Sequence, residues 1–233
     1  MSICIIPARG GSKRIPRKNI RDFCGRPMIA WSIQAAKESG CFEQIVVSTD
    51  DDEIAETAEH YGAEAPFRRS KVLADDHTPT VPVIADAIER LNVAAKTPVC
   101  CLYATAPFVT LDDLRAGLIL LEETGAPFVL SVTTYAFPIQ RALRRNSAGE
   151  VEMFDPDQMQ TRSQDLEEAW HDAGQFYWGR AETWASNQRI FGPGAQSLIL
   201  PRHRVQDIDT EEDWVRAEQM MQISGIKRAK KDE

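Results

Sequence analysis

The chain has 233 residues, 43% of them hydrophobic and 27% charged, which fits a globular protein with one α/β domain and an insertion, or with two small domains. Its formal net charge of -8 at pH 7 argues against nonspecific nucleic-acid binding, and its five cysteines, without a C-x-x-C pair, argue against a disulfide framework or a zinc site. It has neither an apolar stretch of membrane-spanning length nor a charged region ahead of its first apolar run, so we expect a cytoplasmic protein that binds no membrane.

Short apolar runs alternate with helical patterns through the first 134 residues. In chain order, the pattern predicts a strand at 3–7, a helix at 28–39, a strand at 45–49, a helix at 50–61, a strand at 63–67, a helix at 80–91, a strand at 99–103, a helix at 111–124 and a strand at 128–133. Repeated units of this kind are typical of parallel β-α-β structure. We therefore predict a Rossmann-like α/β fold, with a mostly parallel sheet, helices on both faces and ligands at the carboxyl ends of the strands.

The alternation stops between Tyr135 and Gln175, in a polar stretch without a sustained period. A long irregular segment inside a compact domain is usually functional, and its aromatic residues need burial. We therefore predict that residues 135–175 are an inserted dimerisation segment and that the chain forms a homodimer. The main domain then comprises residues 1–134 and 176–226, with strands near 176–178 and 197–200 and a helix over 210–223, and the charged residues 227–233 form a disordered tail.

The most informative stretch is the one that follows the first predicted strand. Residues 3–19 read I-C-I-I-P-A-R-G-G-S-K-R-I-P-R-K-N, an apolar run that opens into a loop with two glycines and five cations. Gly10 and Gly11 let the backbone bring N–H groups close to phosphate oxygens, and the cations neutralise charge. Neither G-x-x-x-x-G-K-[ST] nor G-x-G-x-x-G can be placed here. The position favours a polyanion-binding loop, although a solvated basic loop or a nucleic-acid patch would use the same residue types.

Two carboxylates near the C-terminus form a second candidate site. In the run Q-D-I-D-T-E at residues 206–211, Asp207 and Asp209 are two positions apart, so their side chains point to the same side of an extended chain. Oxygen ligands of this kind suit Mg²⁺, which binds through one or two carboxylates plus substrate phosphates. The alternative is that Asp209 serves only as the N-cap of the helix that follows.

Four segments together resemble the sugar-activating cytidylyltransferases, the family that includes the CMP-sialic acid synthetases. Residues 8–19 match the signature A-R-x-G-S-K-x-x-x-x-K-N, residues 69–76 resemble R-P-x-x-L-A-x-D, residues 103–107 resemble Q-P-T-S-P, and residues 205–214 match the D-I-D-T/S-x-x-D run without a gap. The resemblance implies transfer of CMP from CTP to a nonulosonic acid, release of pyrophosphate, and Mg²⁺ as the cofactor.

The resemblance also implies roles for single residues. Mg²⁺ would be held by Asp207 and Asp209, and catalysis would depend on Arg9, Lys13 and Asp209. CTP would be bound by Ala8, Arg9, Gly10, Gly11, Ser12, Lys13, Lys18, Asn19, Arg69, Ala74 and Thr105. Without the resemblance, Arg69 could equally be a surface arginine, and Thr105 would be read as an ordinary polar residue of the turn after a strand. No side chain identifies itself as the general base.

Two segments in the middle of the chain imply part of the sugar site through the same family resemblance. Residues 160–166 and 172–177 resemble the R-x-Q-x-L … N-G-x-x-Y stretch of the sialic acid enzymes, in which this region forms the dimer and reaches into the partner's sugar site. On that resemblance Arg162, Gln164 and Tyr177 would contact the sugar. Arg162 could bind a carboxylate through two parallel hydrogen bonds, although a lone arginine in a loop is more often solvated.

The prediction of which sugar is used rests on two alanines. Ala104, a further expected sugar contact, stands where the sialic acid enzymes tend to carry glutamine, and Ala173 stands on the family's asparagine. A site without these amides is expected to favour the more apolar pseudaminic acid over N-acetylneuraminic acid, because an unpaired hydroxyl is costly to bury. Legionaminic acid has the same deoxygenation and stays open.

Two other classes of protein fit parts of the pattern. A glycosyltransferase that uses a preformed nucleotide-sugar also combines a Rossmann-like sheet with an acidic metal site, but it does not need a basic loop for a triphosphate. A non-catalytic module would bind CTP without turning it over. Release of pyrophosphate separates the expected reaction from both.

Overall fold

The computed structural model describes residues 2–224. The predicted tail at 227–233 and the end of the predicted main domain at 226 lie outside this range. The strands are β1 (Ile3–Pro7), β2 (Asp22–Phe23), β3 (Arg26–Pro27), β4 (Gln44–Ser48), β5 (Pro98–Leu102), β6 (Phe128–Thr134), β7 (Leu143–Arg145), β8 (Val151–Met153), β9 (Trp170–Arg180) and β10 (Gln196–Ile199). The helices are α1 (Met28–Ser39), α2 (Asp52–His60), α3 (Thr80–Arg90), α4 (Leu111–Thr124), α5 (Ala181–Ala185) and α6 (Glu211–Ile223). Among the described residues, no helix is long and apolar enough to cross a membrane.

Six strands form the central sheet, in the order β10-β6-β9-β5-β1-β4. Strand β1 is parallel to β4 and β5, and β10 is parallel to β6, whereas β9 runs antiparallel to both β5 and β6. The predicted mostly parallel α/β sheet is therefore confirmed. The reversed direction of β9 was not predicted, because side chains alternate with the same period in a strand of either direction.

Helices cover the sheet on both faces, as predicted. On one face α1, α2 and α4 pack through Ile29, Ile54 and Leu114, and on the other α3 and α5 pack through Ile84 and Trp184. Successive side chains of a strand point to opposite faces of the sheet. Because helices cover both faces, all of these side chains are buried in a central strand, which explains why β1 is a continuous apolar run rather than an alternating one.

A third apolar cluster lies beyond the carboxyl edge of the sheet, where it joins α6 to the β2–β3 hairpin. Phe23 packs edge-to-face against Trp214, with ring centroids 5.4 Å apart. Ile15 and Ile208 are each 1% exposed in the same cluster. This cluster matters for the site, because it brings the segment after β1 and the segment before α6 together.

Two regions differ from the expectation. The predicted strand at 63–67 is reduced to two isolated bridges, from Glu64 to Val46 and from Arg68 to Thr49, and Pro66 between them has no N–H to extend a ladder. Strand β9 begins at Trp170, inside the segment 135–175. Its register against β6 shifts near Leu130, and this irregularity breaks the period that would reveal the strand.

The rest of the inserted segment forms only small elements. It contains the β7–β8 hairpin and three short 3₁₀ turns, and it leaves many large apolar side chains in solvent. The exposed ones are Tyr135, Phe137, Ile139, Leu143, Val151, Phe154, Met159 and Trp170. A single subunit therefore gives these side chains little cover.

Candidate active site

The basic loop, residues 8–19, follows β1 and is held in shape by the end of β4. Ala8 is buried, and its N–H donates to Ser48 O over 2.9 Å. The Gly10 N–H donates to Asp50 Oδ1 over 3.0 Å. Asn19, which is also buried, donates from Nδ2 to Arg9 O over 2.9 Å and so ties the two ends of the loop together. Ala8, Gly10 and Asn19 therefore form the frame of the loop.

Gly10 is the position where the loop requires a glycine. A Cβ built there would lie 2.7 Å from Asp51 Oδ2, whereas a Cβ at Gly11 would have nothing within 4 Å. Asp51 cannot easily move, because it caps α2 through Ile54 N and binds Arg17. The signature A-R-x-G-S-K has its glycine at Gly11, whereas in this chain the close contact lies at Gly10, the open position of the signature.

The cations of the basic loop are paired with carboxylates from other loops. Arg9 lies 2.7 Å from Asp76 and also donates to Asp75 O over 2.7 Å, and Lys13 pairs with the same Asp76 carboxylate. Lys13 nevertheless has a side chain that is 80% exposed. These contacts keep the cations close together without burying them, so an incoming polyanion can replace the carboxylates as their partner.

A second set of ion pairs joins the basic loop to the acidic loop, residues 205–210. Arg14 lies 2.9 Å and Lys18 3.3 Å from the Asp209 carboxylate, and Lys18 Nζ also donates to Ile208 O over 2.6 Å. The two loops are thus adjacent although 190 positions separate Lys18 from Ile208. The predicted phosphate site and the predicted metal site form one site.

Asp209 is not the N-cap of α6. Thr210 has this role, since its hydroxyl accepts from Asp213 N, and the Asp213 carboxylate accepts in turn from Thr210 N over 2.8 Å. The side chain of Asp209 is therefore free of the cap and turns toward the basic loop. The reading of Asp209 as a cap is wrong, and this leaves the ligand reading in place.

The donor set of the acidic loop fits a hard divalent cation. Ile208 enters the third cluster, so Asp207 and Asp209 lie on the opposite side of the extended chain. Burial by neighbouring atoms and then the charge of Asp209 raise the pKa of Asp207, although its surface stays open to solvent. A bound cation would relieve this repulsion. Residues 2–224 contain no cluster of three or more His, Cys, Asp or Glu that could hold a metal, so two carboxylates and substrate oxygens would have to suffice, as Mg²⁺ allows.

Arg69, Ala74 and Thr105 lie in loops at the same edge of the sheet as this site. Arg69 is 6% exposed, and burial lowers its pKa. Its guanidinium donates to Ser48 O over 3.1 Å, next to the start of the acidic residues after β4. Ala74 ends the short turn Lys71–Ala74, and Thr105 follows the end of β5. Within the subunit the Arg69 guanidinium thus binds backbone carbonyls, and its predicted contact with CTP stays a prediction.

The predicted sugar residues are not brought together in the subunit. Ala104 and Ala173 are 2% and 3% exposed within one apolar cluster. Arg162 is solvent-exposed, pairs with Asp165 over 2.7 and 3.2 Å, and lies with Gln164 in the inserted segment. Among the described residues, neither has a contact with the basic loop in this subunit.

Tyr177, within β9, belongs to a chain of polar groups at the carboxyl end of β5. It is 3% exposed, its hydroxyl donates to Asp172, and its ring meets Tyr103 edge-on at 5.7 Å. The Tyr103 hydroxyl is bonded to Thr80 over 2.7 Å. Burial raises the pKa of both tyrosines, so both hydroxyls stay protonated.

Sequence reasoning missed several residues of this neighbourhood. Asp50 and Asp51 hold the basic loop, Asp76 pairs with its cations, and Asp172 and Thr80 extend the tyrosine chain. A usable signal existed for the first pair: polar residues directly after a buried parallel strand lie at the ligand edge of such a sheet.

The comparison with known families decides the class of protein. Residues 3–224 match the profile of the family described as Cytidylyltransferase. The chain belongs to the cytidylyltransferase family. This assignment confirms the resemblance found in the motifs, and with it the prediction of a CTP-dependent nucleotidyltransferase.

Similar proteins cover nearly the full length of this cytidylyltransferase. A pseudaminic acid cytidylyltransferase of Campylobacter jejuni is 47% identical over 214 residues, which are 91% of this chain and 92% of the relative. A CMP-N,N'-diacetyllegionaminic acid synthase of Legionella pneumophila is 32% identical over 95% of this chain and 97% of its own. An N-acylneuraminate cytidylyltransferase B of Danio rerio is 33% identical over 92% of this chain and 50% of its own.

Solved structures confirm the fold of this cytidylyltransferase. A CMP:2-keto-3-deoxy-manno-octonic acid synthetase in complex with CTP superposes with a TM-score of 0.71 at 17% identity, over 96% of this chain and 99% of its own. The 4-diphosphocytidyl-2C-methyl-D-erythritol synthase of Anaerococcus prevotii superposes with a TM-score of 0.65 at 11% identity, over 94% and 95%. The Rossmann-like prediction is therefore correct.

Proposed function

We propose that this cytidylyltransferase transfers CMP from CTP to pseudaminic acid. The anomeric hydroxyl attacks the α-phosphorus and loses its proton to solvent, a new P–O bond forms, and the bond from the α-phosphorus to the oxygen that bridges it to the β-phosphorus breaks to release pyrophosphate. The observation that carries the proposal is the union of the basic and acidic loops, with Asp209 at 2.9 Å from Arg14 and 3.3 Å from Lys18. A triphosphate and its counter-cation need such a pairing of opposite charges in one place.

The residues of the basic loop would hold the triphosphate. Arg9, Lys13 and Lys18 would give up their carboxylate partners for phosphate oxygens, and the Gly11 N–H and Ser12 would line the phosphates. Ala8, Gly10 and Asn19 would support the triphosphate indirectly, as the frame that holds the loop in shape. Arg9 and Lys13 would stabilise the charge that builds up on the leaving pyrophosphate. Charge neutralisation by fixed donors is the main source of rate acceleration in such reactions.

The acidic loop would supply the ligands for Mg²⁺, which lowers the pKa of the attacking hydroxyl and shields the α-phosphate when bound. Asp207 and Asp209 are the ligands. Asp209 would then exchange Arg14 and Lys18 for the cation, which leaves both basic side chains available to the phosphates. On the other side of the phosphates, Arg69, Ala74 and Thr105 would enclose the nucleoside.

The choice of pseudaminic acid is supported by two observations. The pseudaminic acid enzyme of Campylobacter jejuni has 47% identity over nearly the whole chain, against 32% for the legionaminic acid enzyme of Legionella pneumophila. In addition, Ala173 is a buried alanine at the position of the family's asparagine. Ala104 does not add to this argument, because in the match to Q-P-T-S-P the glutamine falls on Tyr103 and the proline on Ala104. A sugar with a methyl in place of a hydroxyl suits a wall without an amide side chain at Ala173.

We also propose that the enzyme is a homodimer in which the inserted segment at 135–175 completes the partner's sugar site. The eight exposed apolar side chains of this segment support a second copy as their cover. Arg162 and Gln164 would then act across the interface, which explains why they contact no other site residue of their own subunit. The buried thiols of Cys4, Cys100 and Cys101 and the use of CTP support a reducing cytoplasm as its location.

Pyrophosphate release tests the proposal when it is measured with CTP, Mg²⁺ and each of three acids: pseudaminic, N,N'-diacetyllegionaminic and N-acetylneuraminic acid. We expect the highest kcat/KM with pseudaminic acid. A preference for one of the other acids would refute the choice of sugar alone. CTP that binds without turnover with every acid would refute the reaction.

A further inference from the structure

The acidic loop is anchored at its N-terminal side by a buried ion pair that has no role in the proposed reaction. The guanidinium of Arg204 donates to both carboxylate oxygens of Asp113, over 2.5 and 3.0 Å. The two side chains are only 18% and 11% exposed. Arg204 precedes Asp207 by three residues, so the pair fixes the chain just before the proposed metal ligands.

Asp113 is itself fixed by the start of α4. Its carboxylate accepts from Thr110 N over 2.9 Å and from the Thr110 hydroxyl over 2.7 Å. Burial alone would raise the pKa of Asp113, but the hydrogen bonds from Arg204 and Thr110 outweigh it and the pKa lies below its usual value. The backbone of Arg204 is held as well, since Gln175 Nε2 donates to its carbonyl over 2.5 Å.

The other side of the acidic loop has a matching anchor. The Asp213 carboxylate accepts from Asp209 N over 3.2 Å and from Thr210 N over 2.8 Å. Asp207 and Asp209 therefore lie between two capping aspartates, one at the start of α4 and one at the start of α6. Of these two anchors, the one at Asp113 is an ion pair, and the one at Asp213 consists of hydrogen bonds to backbone N–H groups.

We propose that the Arg204–Asp113 ion pair is a positioning device that sets the placement of Asp207 and Asp209 for the divalent cation, an inference that rests on the proposed function. A fork of two parallel hydrogen bonds fixes both the distance and the plane of its partners. A buried ion pair is poor as a source of stability, since neutral residues of similar size often replace it without loss. A buried ion pair at this position is therefore better explained by the geometry it imposes on the loop than by stability.

The test measures metal binding rather than turnover. The double variant Asp113→Asn with Arg204→Gln removes both charges and leaves no unpaired buried charge. We expect it to fold, to bind a non-hydrolysable CTP analogue in EDTA as the wild type does, and to bind Mn²⁺ in the presence of that analogue about 10-fold or more weakly, by electron paramagnetic resonance. Arg204→Lys, which keeps the charge but loses the fork, should also weaken Mn²⁺ binding.

A matched control is available on the same helix. Asp112 and Arg115 form an exposed pair at 3.5 Å in the first turns of α4, and Asp112→Asn with Arg115→Gln makes the same change of charge there. This control should bind Mn²⁺ as the wild type does. The variant Asp209→Asn removes a proposed ligand and should lose Mn²⁺ affinity.

The outcomes separate the two proposals. Wild-type Mn²⁺ affinity in the folded double variant, with loss in Asp209→Asn, would overturn the positioning role and leave the metal site standing. If the double variant does not fold, wild-type Mn²⁺ affinity in Arg204→Lys would overturn it instead. A wild-type protein that binds no Mn²⁺ beside the CTP analogue would contradict the metal site of the proposed function, and this inference with it.

Discussion

Gly10 shows how a single missing side chain shapes the site. The close approach of Asp51 to its Cα lets the basic loop turn back over the end of β4. We expect Gly10→Ala to displace the loop, because the new Cβ would lie 2.7 Å from Asp51 Oδ2, and to raise the KM for CTP. The matched variant Gly11→Ala has open space and should raise it less. Equal effects of the two variants on KM, measured by pyrophosphate release, would contradict this account of the loop.

A substitution of Lys13 is expected to change catalysis without changing stability. Its side chain is 80% exposed, so it contributes little to packing. We expect Lys13→Ala to lower kcat by about 10²- to 10³-fold, as the loss of one charge-stabilising donor does in other enzymes, with an unchanged thermal unfolding temperature. Lys96→Ala, an exposed lysine before β5 at the opposite sheet edge, is the control. Near-wild-type turnover of Lys13→Ala would remove Lys13 from the mechanism.

At the scale of elements, two helices begin with the same device. Thr110 and Asp113 open α4, and Thr210 and Asp213 open α6, each as a reciprocal capping box. Such caps contribute about 1 kcal/mol each to stability. Both helices begin directly after a loop of the site, so the caps also define where those loops end.

The capping aspartate of α4 predicts an acid dependence of stability. The pKa of Asp113 lies below its ordinary value in the folded protein, because the hydrogen bonds from Arg204 and Thr110 outweigh the effect of burial. The unfolded chain therefore takes up the proton first, so the stabilisation is present above about pH 4 and is lost as the pH falls through the folded pKa. We expect Asp113→Asn to reduce the loss of unfolding free energy between pH 5 and 3, measured by urea denaturation. A slope as steep as that of the wild type, or of the control Asp112→Asn, would contradict this.

Helices and strands in which apolar residues recur at a regular spacing could be predicted from the sequence, and contacts between distant parts of the chain could not. The bounds of α1 and α4 follow from apolar spacing and from the glycines after them, Gly40 and Gly125, both in the left-handed conformation. The direction of β9 leaves no trace in its own residues. The pairing of Lys13 with Asp76 joins two loops that only the fold brings together, so residue type alone could not reveal it.

For the molecule as a whole, the exposed apolar surface of the inserted segment predicts a dimer. Phe137 is 83% exposed there. We expect Phe137→Asp to shift the mass in light scattering from dimer to monomer and to raise the KM for the sugar more than the KM for CTP. The control Ile119→Asp changes an apolar residue of α4 that is 51% exposed and should stay dimeric. A monomeric wild type with full activity would exclude the dimer.

The central claim is that one site joins CMP to a nonulosonic acid, and phosphorus NMR of a single reaction mixture tests it most directly. With enzyme, CTP, Mg²⁺ and pseudaminic acid, we expect the three CTP resonances to give way to one phosphodiester resonance of the CMP-sugar and to pyrophosphate, in equal molar amounts. Free CMP with pyrophosphate would indicate hydrolysis instead of transfer. A spectrum in which CTP persists, with an enzyme that binds it, would contradict the account.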